Sequence, residues 1–162
     1  MRRGPEPYRT AMNSTTVRPA TPDDVPAVKT VTDAAYGHYV ERIGRPPVPM
    51  LADHAANVAA GRVFVVGEPV HGVLVLVPEP DHLFLDSIAV RPDMAGKGVG
   101  RELLGFVDAY AHELGLPEIR LYTNALMWEN QKIYPRYGYE MVERRLDEGI
   151  YDRFHYRKRI AD

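Results

Sequence analysis

A chain of 162 residues, 45% hydrophobic and 26% charged, is long enough to bury most of the apolar surface of one globular domain. Its formal net charge of −2 gives no bulk attraction to nucleic acid or an anionic membrane, and no apolar run nears the ~20 residues of a membrane span. It has no cysteine, which excludes disulfides, thiolate metal sites and a cysteine nucleophile, and fits a reducing, cytoplasmic setting.

Residues 1–14 carry Gly, Pro, Arg and Ser without a hydrophobic period and read as a disordered extension, with Met12 an alternative start. Met1-Arg2-Arg3 is basic, but Gly4-Pro5-Glu6-Pro7 stands where a signal peptide needs its apolar segment. Residues 15–18 suit a short edge strand that stops at Pro19. Thr21-Pro22-Asp23-Asp24 then opens a helix: Thr21 caps, Pro22 takes the first turn, and Asp24 completes an acidic capping box. Val25, Val28, Val31 or Thr32, and Ala35 form its apolar face, and it weakens at Tyr36-Gly37. Residues 37–49, with Pro46, Pro47 and Pro49, predict a stiff extended loop, followed by a second helix over 51–60 closed by Gly61.

Residues 62–66 and 70–77 read as a hairpin about Gly67-Glu68-Pro69, and 82–90 as a largely buried strand that Pro92 ends. A glycine-rich loop, Gly96-Lys97-Gly98-Val99-Gly100-Arg101, runs straight into the apolar period of Val99, Leu103, Leu104, Val107 and Tyr110. A helix N-terminus behind such a loop points N–H groups and the positive end of its dipole at a phosphate. Lys97 is followed by Gly98 and not by Ser or Thr, so a Walker A loop fails, and Arg101 breaks a dinucleotide fingerprint. On the loop alone, an ordinary glycine-rich turn is the alternative. The helix runs to about 114, a strand covers 118–123, a helix 127–134, and a final strand pair 138–145 and 151–160. Hairpins make antiparallel neighbours while the strand–helix–strand unit over 83–123 demands a parallel pair, so the sheet is mixed.

These residues resemble the GNAT superfamily of acyl-CoA-dependent N-acyltransferases. Its phosphate loop, Q/R-x-x-G-x-G/A, lies between a strand ending apolar-Val-x-Pro and a long helix, as Ala95-Gly96-Lys97-Gly98-Val99-Gly100 follows Ala89-Val90-Arg91-Pro92 here. Ala95 replaces the Gln or Arg, which removes a side-chain contact but no backbone donor. Asn130, Tyr134 and Tyr137-Gly138-Tyr139 match a second family motif, and the resemblance covers roughly residues 15–160. It implies one α/β domain over 15–162: a mostly antiparallel mixed sheet of about seven strands with a splayed parallel pair and about four helices.

The resemblance also assigns parts. Acetyl-CoA is the co-substrate, its phosphates held by Gly96, Lys97, Gly98, Val99, Gly100 and Arg101, and its pantetheine by main chain along Ile88, Ala89 and Val90. Tyr134 is the acid for the leaving thiolate, although a core aromatic is the alternative, and Pro135 is expected to end its helix early. Asn130, one turn earlier, bonds the pantetheine or orders the site, and Asn124 is a weaker contact that also suits a local turn. A primary amine with a reference pKa near ~10.4 arrives charged, so a base is needed. Asp86 is that candidate, on the face of Ile88 and Val90 by the two-residue period; a nearby cation or water is its alternative partner, and His82 or a water chain its reserve. Tyr36, Tyr39 and residues 46–50 are expected to shape the acceptor pocket. The histidines have no metal-ligand spacing, and Arg144-Arg145 and Arg157-Lys158-Arg159 read as solvated strand positions.

The function so implied is direct acetyl transfer from acetyl-CoA to a primary amine of a small molecule or peptide, without an acyl-enzyme, metal, nucleic acid or membrane. A catalytically silent acyl-CoA-binding module is the alternative, motivated by Ala95 and Pro135. Relatives that pair through their final strands make a homodimer an added expectation.

Overall fold

The computed structural model, which describes residues 16–160, begins at a sheet edge with β1 (Arg18–Pro19), paired to β2 (Val63–Val66). Pro19 is part of this strand and does not stop it; an edge position has no second ladder for a proline to interrupt. Thr15 and residues 1–14, read above as an extension, lie outside the described residues.

Pro22–Asp24 form a 3-10 turn that leads into α1 (Val25–Tyr36). The Asp24 carboxylate accepts from the Thr21 N–H at 2.7 Å and from the Arg18 guanidinium at 2.8 and 3.0 Å, and that guanidinium holds its pKa at about 2. Val28, Val31 and Thr32 are the buried face. The loop expected over 37–49 is helical in its first half: α2 (Tyr39–Ile43) runs to Gly44, and only then do the prolines impose irregular backbone. A second 3-10 turn covers Val48–Leu51, and α3 (His54–Ala59) is shorter than predicted because Asp53, accepting from the Ala56 N–H at 3.0 Å, sets its start.

β2, β3 (Gly72–Pro78) and β4 (Leu83–Val90) are antiparallel neighbours, followed by α4 (Val99–Glu113), β5 (Glu118–Asn124), α5 (Trp128–Arg136), β6 (Glu140–Asp147) and β7 (Tyr151–Arg159). The seven strands lie in the order β1-β2-β3-β4-β5-β7-β6, with β4 and β5 parallel and the other neighbours antiparallel. Among the described residues five α-helices flank the sheet, one more than the pattern predicted, the addition being α2.

One apolar cluster packs α4 and Tyr134 of α5 on one face, around Leu74, Leu76, Leu83, Leu103 and Ile119. A valine-rich cluster seats α1 and α3 on the other, through Val28, Val58, Val63 and Val73. Fully burying each such side chain contributes ~1.5–3 kcal/mol. The close seat of α4 depends on Gly72, where a Cβ would lie 2.7 Å from Val66 Cγ1 and 3.0 Å from Val99 Cγ1. That contact fixes the N-terminus of α4 beside the end of β4.

Two expectations are corrected. Pro135 does not end α5 early, since the helix runs on to Arg136. Pro135 lies in the last turn, and the N–H groups of Tyr137 and Gly138 tighten that turn on the carbonyls of Tyr134 and Pro135 at 3.0 and 3.1 Å. Nor does Asp86 share a face with Ile88 and Val90 by simple alternation. Val75 pairs with Ser87 but Leu76 with Leu85, so Asp86 is the extra residue of a β-bulge, and Leu83, Leu85, Ile88 and Val90 all pack into the α4 cluster.

Candidate active site

The pairing of β4 with β5 consists of Leu83 with Ile119 and Phe84 with Arg120. Beyond those pairs the strands part, and their gap opens into a cavity of about 390 Å³. Leu85, Asp86 and Ile88 line it from β4, Tyr122 and Asn124 from β5, and Tyr134 from α5.

At the end of β4, Pro92–Met94 form a 3-10 turn and residues 95–98 carry the chain into α4. Local bonds absorb the N–H groups of Met94, Ala95 and Lys97, and the first α-helical bond runs from the Glu102 N–H to the Gly98 carbonyl at 3.0 Å. The N–H groups of Gly96, Gly98, Val99, Gly100 and Arg101 have no main-chain acceptor among the described residues. Gly98 sits at the helix start with φ +85°, a conformation that L side chains rarely adopt. A Cβ at Gly96, Gly98 or Gly100 would meet nothing within 4 Å, so the nest is open. Unpaired N–H groups around an open helix N-terminus are the donor set that an anion requires.

Tyr134 is buried, its ring set edge-on to Tyr139 at 5.6 Å and near Tyr156 at 5.9 Å. Burial pushes its phenol well above the ordinary range, so it stays protonated at neutral pH. Tyr36 reaches across from α1: its hydroxyl donates to the Ile88 carbonyl at 2.8 Å and lies 3.4 Å from the Ile88 N–H. The main chain of Ile88 therefore faces the gap but is already partnered, and alternation gives Val90 the same outlook. Asp86 is exposed at the cavity mouth and has no hydrogen-bond partner among the described residues. Although Asp86 reaches solvent, the cavity walls around it strip part of its hydration and raise its carboxyl, with Arg62 and Arg153 pulling it partly back.

A family model described as "Acetyltransferase (GNAT) domain" matches residues 59–141, half of the chain. The chain belongs to the GNAT acetyltransferase family. No curated protein matches it in sequence. Among solved structures it is similar to the PaiA N-acetyltransferase from Thermoplasma acidophilum in complex with coenzyme A, at 15% identity and TM-score 0.74, covering 88% of this chain and 97% of that one. The ribosomal-protein-S18-alanine N-acetyltransferase from Escherichia coli aligns at 20% identity and TM-score 0.72, over 91% and 94%. Ard1 from Thermoplasma volcanium aligns at 17% and 0.72, over 93% and 100%. At these identities the likeness is one of fold.

Within this GNAT fold the other predicted residues are placed as follows. The Asn130 amide donates to Thr123 Oγ1 at 3.0 Å and so ties α5 to β5 at the cavity. Asn124 lines the cavity but spends its side-chain oxygen on the Leu126 N–H at 2.8 Å, shaping the turn into α5. Ala89 points its side chain into the valine cluster, away from the gap. Tyr39 stands outside the cavity lining, its hydroxyl 3.4 Å from Glu129, which Arg42 also binds. His82 lies off the cavity against Asp81 at 2.8 Å. Residues 46–49 do form one wall. Among the described residues, no group of three or more His, Asp or Glu could hold a metal ion, and no helix is long and apolar enough to cross a membrane.

The GNAT cavity also contains groups that the sequence did not single out. Arg153 is only 8% exposed and His54 equally so, with both imidazole nitrogens unpartnered among the described residues. Burial and the charge of Lys29 lower the His54 pKa, which keeps the ring neutral near pH 7. An isolated His or Arg carries no motif, so only the fold reveals their convergence on one space.

Proposed function

We propose that this protein transfers an acetyl group from acetyl-CoA directly to a primary amine held in the cavity, both substrates being bound together. The observation that carries this reading is the open amide nest at residues 96–101 beside a parallel strand pair joined at only two residue pairs. The donor set fits a diphosphate: unpaired N–H groups, a helix N-terminus and no side chain in the way. Val90, and Ile88 once its contact with Tyr36 is exchanged, would hold the pantetheine by main chain, as extended ligands add to a free strand edge. The relative from T. acidophilum, solved with coenzyme A, supports the same occupant.

Bound acetyl-CoA supplies an activated acyl group as a thioester. The chain's own groups manage the protons. Asp86 takes one from the amine as the C–N bond forms, and the raised carboxyl suits a base. Tyr134 gives one to the sulfur as the C–S bond breaks, a role suited to a phenol held neutral. In the free protein Tyr36, bound to Ile88, fixes the β4 edge until the pantetheine takes its place. Pro135, one motive for a silent binding module, leaves Tyr134 helical and on the cavity wall, which favours the catalytic reading.

Thermal unfolding of the full chain with acetyl-CoA tests this. At ~100 times its dissociation constant the ligand adds about 2.7 kcal/mol, or roughly 5–10 °C for a chain of this size. Mass spectrometry of a mixed amine library incubated with acetyl-CoA then reads the products. No stabilisation by millimolar acetyl-CoA or CoA rejects the proposal, whereas stabilisation without any acetylated product selects the silent module.

A further inference from the structure

The charges facing the cavity are unevenly compensated. Asp152 is neutralised by a two-pronged bond from Arg144, at 2.9 and 2.7 Å. Asp86 has no ion-pair partner among the described residues, and neither has Arg45, whose guanidinium lies 5.7 Å from the Tyr151 ring. Arg153 is the notable case. Its guanidinium carbon lies 4.0 Å from the Tyr122 ring centroid and 4.4 Å from that of Tyr151, and its side chain is nearly buried. Its one ion pair among the described residues is a 3.3 Å contact with Asp147, a carboxylate also held by Arg145 at 2.6 Å and His155 at 2.9 Å.

A buried cation demands an anion, and a third share in one carboxylate is a weak answer. Two aromatic rings crowd the guanidinium, and a ligand would meet it through its N–H donors. Those donors match the two oxygens of a carboxylate. At the same cavity, Asp86 offers the complementary negative charge to an ammonium group.

Building on the acetyltransferase reading, we infer that the acceptor is an amine that also bears a carboxylate: an amino acid or acidic peptide whose carboxylate is held by Arg153 while its amine faces Asp86. Arg45, at the edge of the cavity, adds to the field that draws this anion in.

The test is a matched-pair assay. Each of a set of L-amino acids is compared with its amide and its decarboxylated amine under saturating acetyl-CoA, with phosphoethanolamine as a further arm. The acid of at least one pair is expected to have a kcat/KM about tenfold or more above its partners. Arg153→Gln should collapse that ratio to within about twofold, chiefly through KM, and Arg153→Lys should restore part of it. Acetyl-CoA affinity, read by thermal shift, should match the parent protein in both variants.

A parallel binding measurement is independent of turnover: with CoA present, the corresponding N-acetyl amino acid should raise the melting temperature and its amide should not. Equal use of acids and amides, preference for phosphoethanolamine, or an unchanged ratio in Arg153→Gln overturns the inference. If no amine is acetylated, the binding arm decides, and equal or absent stabilisation by acid and amide rejects it. Should Arg153→Gln fail to fold, the parent protein's own pair preference and the binding arm still decide. Loss of acetyl-CoA binding would instead strike the transferase reading.

Discussion

Asp86 is an ionisable group whose surroundings disfavour its charge. Its folded-state pKa is raised, so its stabilising contribution is full below the unfolded value of ~3.9 and is lost as pH rises through the raised value. At pH 7 the ionised carboxyl therefore opposes folding. Asp86→Asn should melt higher than the parent protein at pH 7, with the difference vanishing below pH ~4, while acetyl transfer falls. Melting curves between pH 3 and 8 with parallel rate measurements check both halves. A lower melting temperature for Asp86→Asn at pH 7 would show the carboxyl to be structural. Tyr134→Phe makes the complementary prediction. Its ring contacts with Tyr139 and Tyr156 persist, so stability and acetyl-CoA binding hold, while kcat drops by ~10²-fold or more. Tyr134 was legible in the sequence because a motif surrounds it. Tyr36 was expected at the cavity, but its bond to Ile88, 52 residues away, has no local signature, and neither has the burial of Arg153 and His54.

The loop between β4 and α4 separates binding from folding. Gly100 lies in the first turn of α4 and open space faces it, so Gly100→Ala keeps the helix and gains up to ~1 kcal/mol from helix propensity. On the proposed reading, the added methyl group nonetheless stands where a phosphate approaches. Acetyl-CoA affinity should fall by about tenfold or more in a protein at least as stable as the parent. Gly98→Ala should lose both, because φ +85° costs an L residue ~1–2 kcal/mol. Calorimetric titration beside thermal melts separates the two variants. This loop and its flanking elements were readable in advance, since the alternation of β4, the stop at Pro92 and the period of α4 are all local. α2 was not: five residues ending at Gly44 and followed by prolines look like loop, and contacts such as that of Arg42 with Glu129 hold them in place. The bulge at Asp86 was hidden for another reason. An extra residue in one strand is defined only against its neighbour, and the register with β3 does not appear in a single strand's pattern.

At the scale of the molecule, the sheet's two portions, β1–β4 and β5–β7–β6, share main-chain bonds among the described residues only around Leu83 and Phe84. α4 bridges them by packing, through buried Leu103 and Val107 in a cluster that takes side chains from both portions. Such a sheet behaves as two leaves on a short spine. The angle between the leaves is set by side-chain packing and by whatever fills the fork, not by a continuous ladder. An extended guest lying in that fork would serve as a missing rung, fastening one leaf to the other. Hydrogen exchange should report it: with acetyl-CoA bound, amides of Val90 and of residues 96–101 slow most, and those of β5 slow as well although they lie across the fork. Exchange confined to the 96–101 segment would mean that the leaves open and close independently of the ligand. The two-pair spine would then set the mobility of this protein, with its substrates merely resting between the leaves.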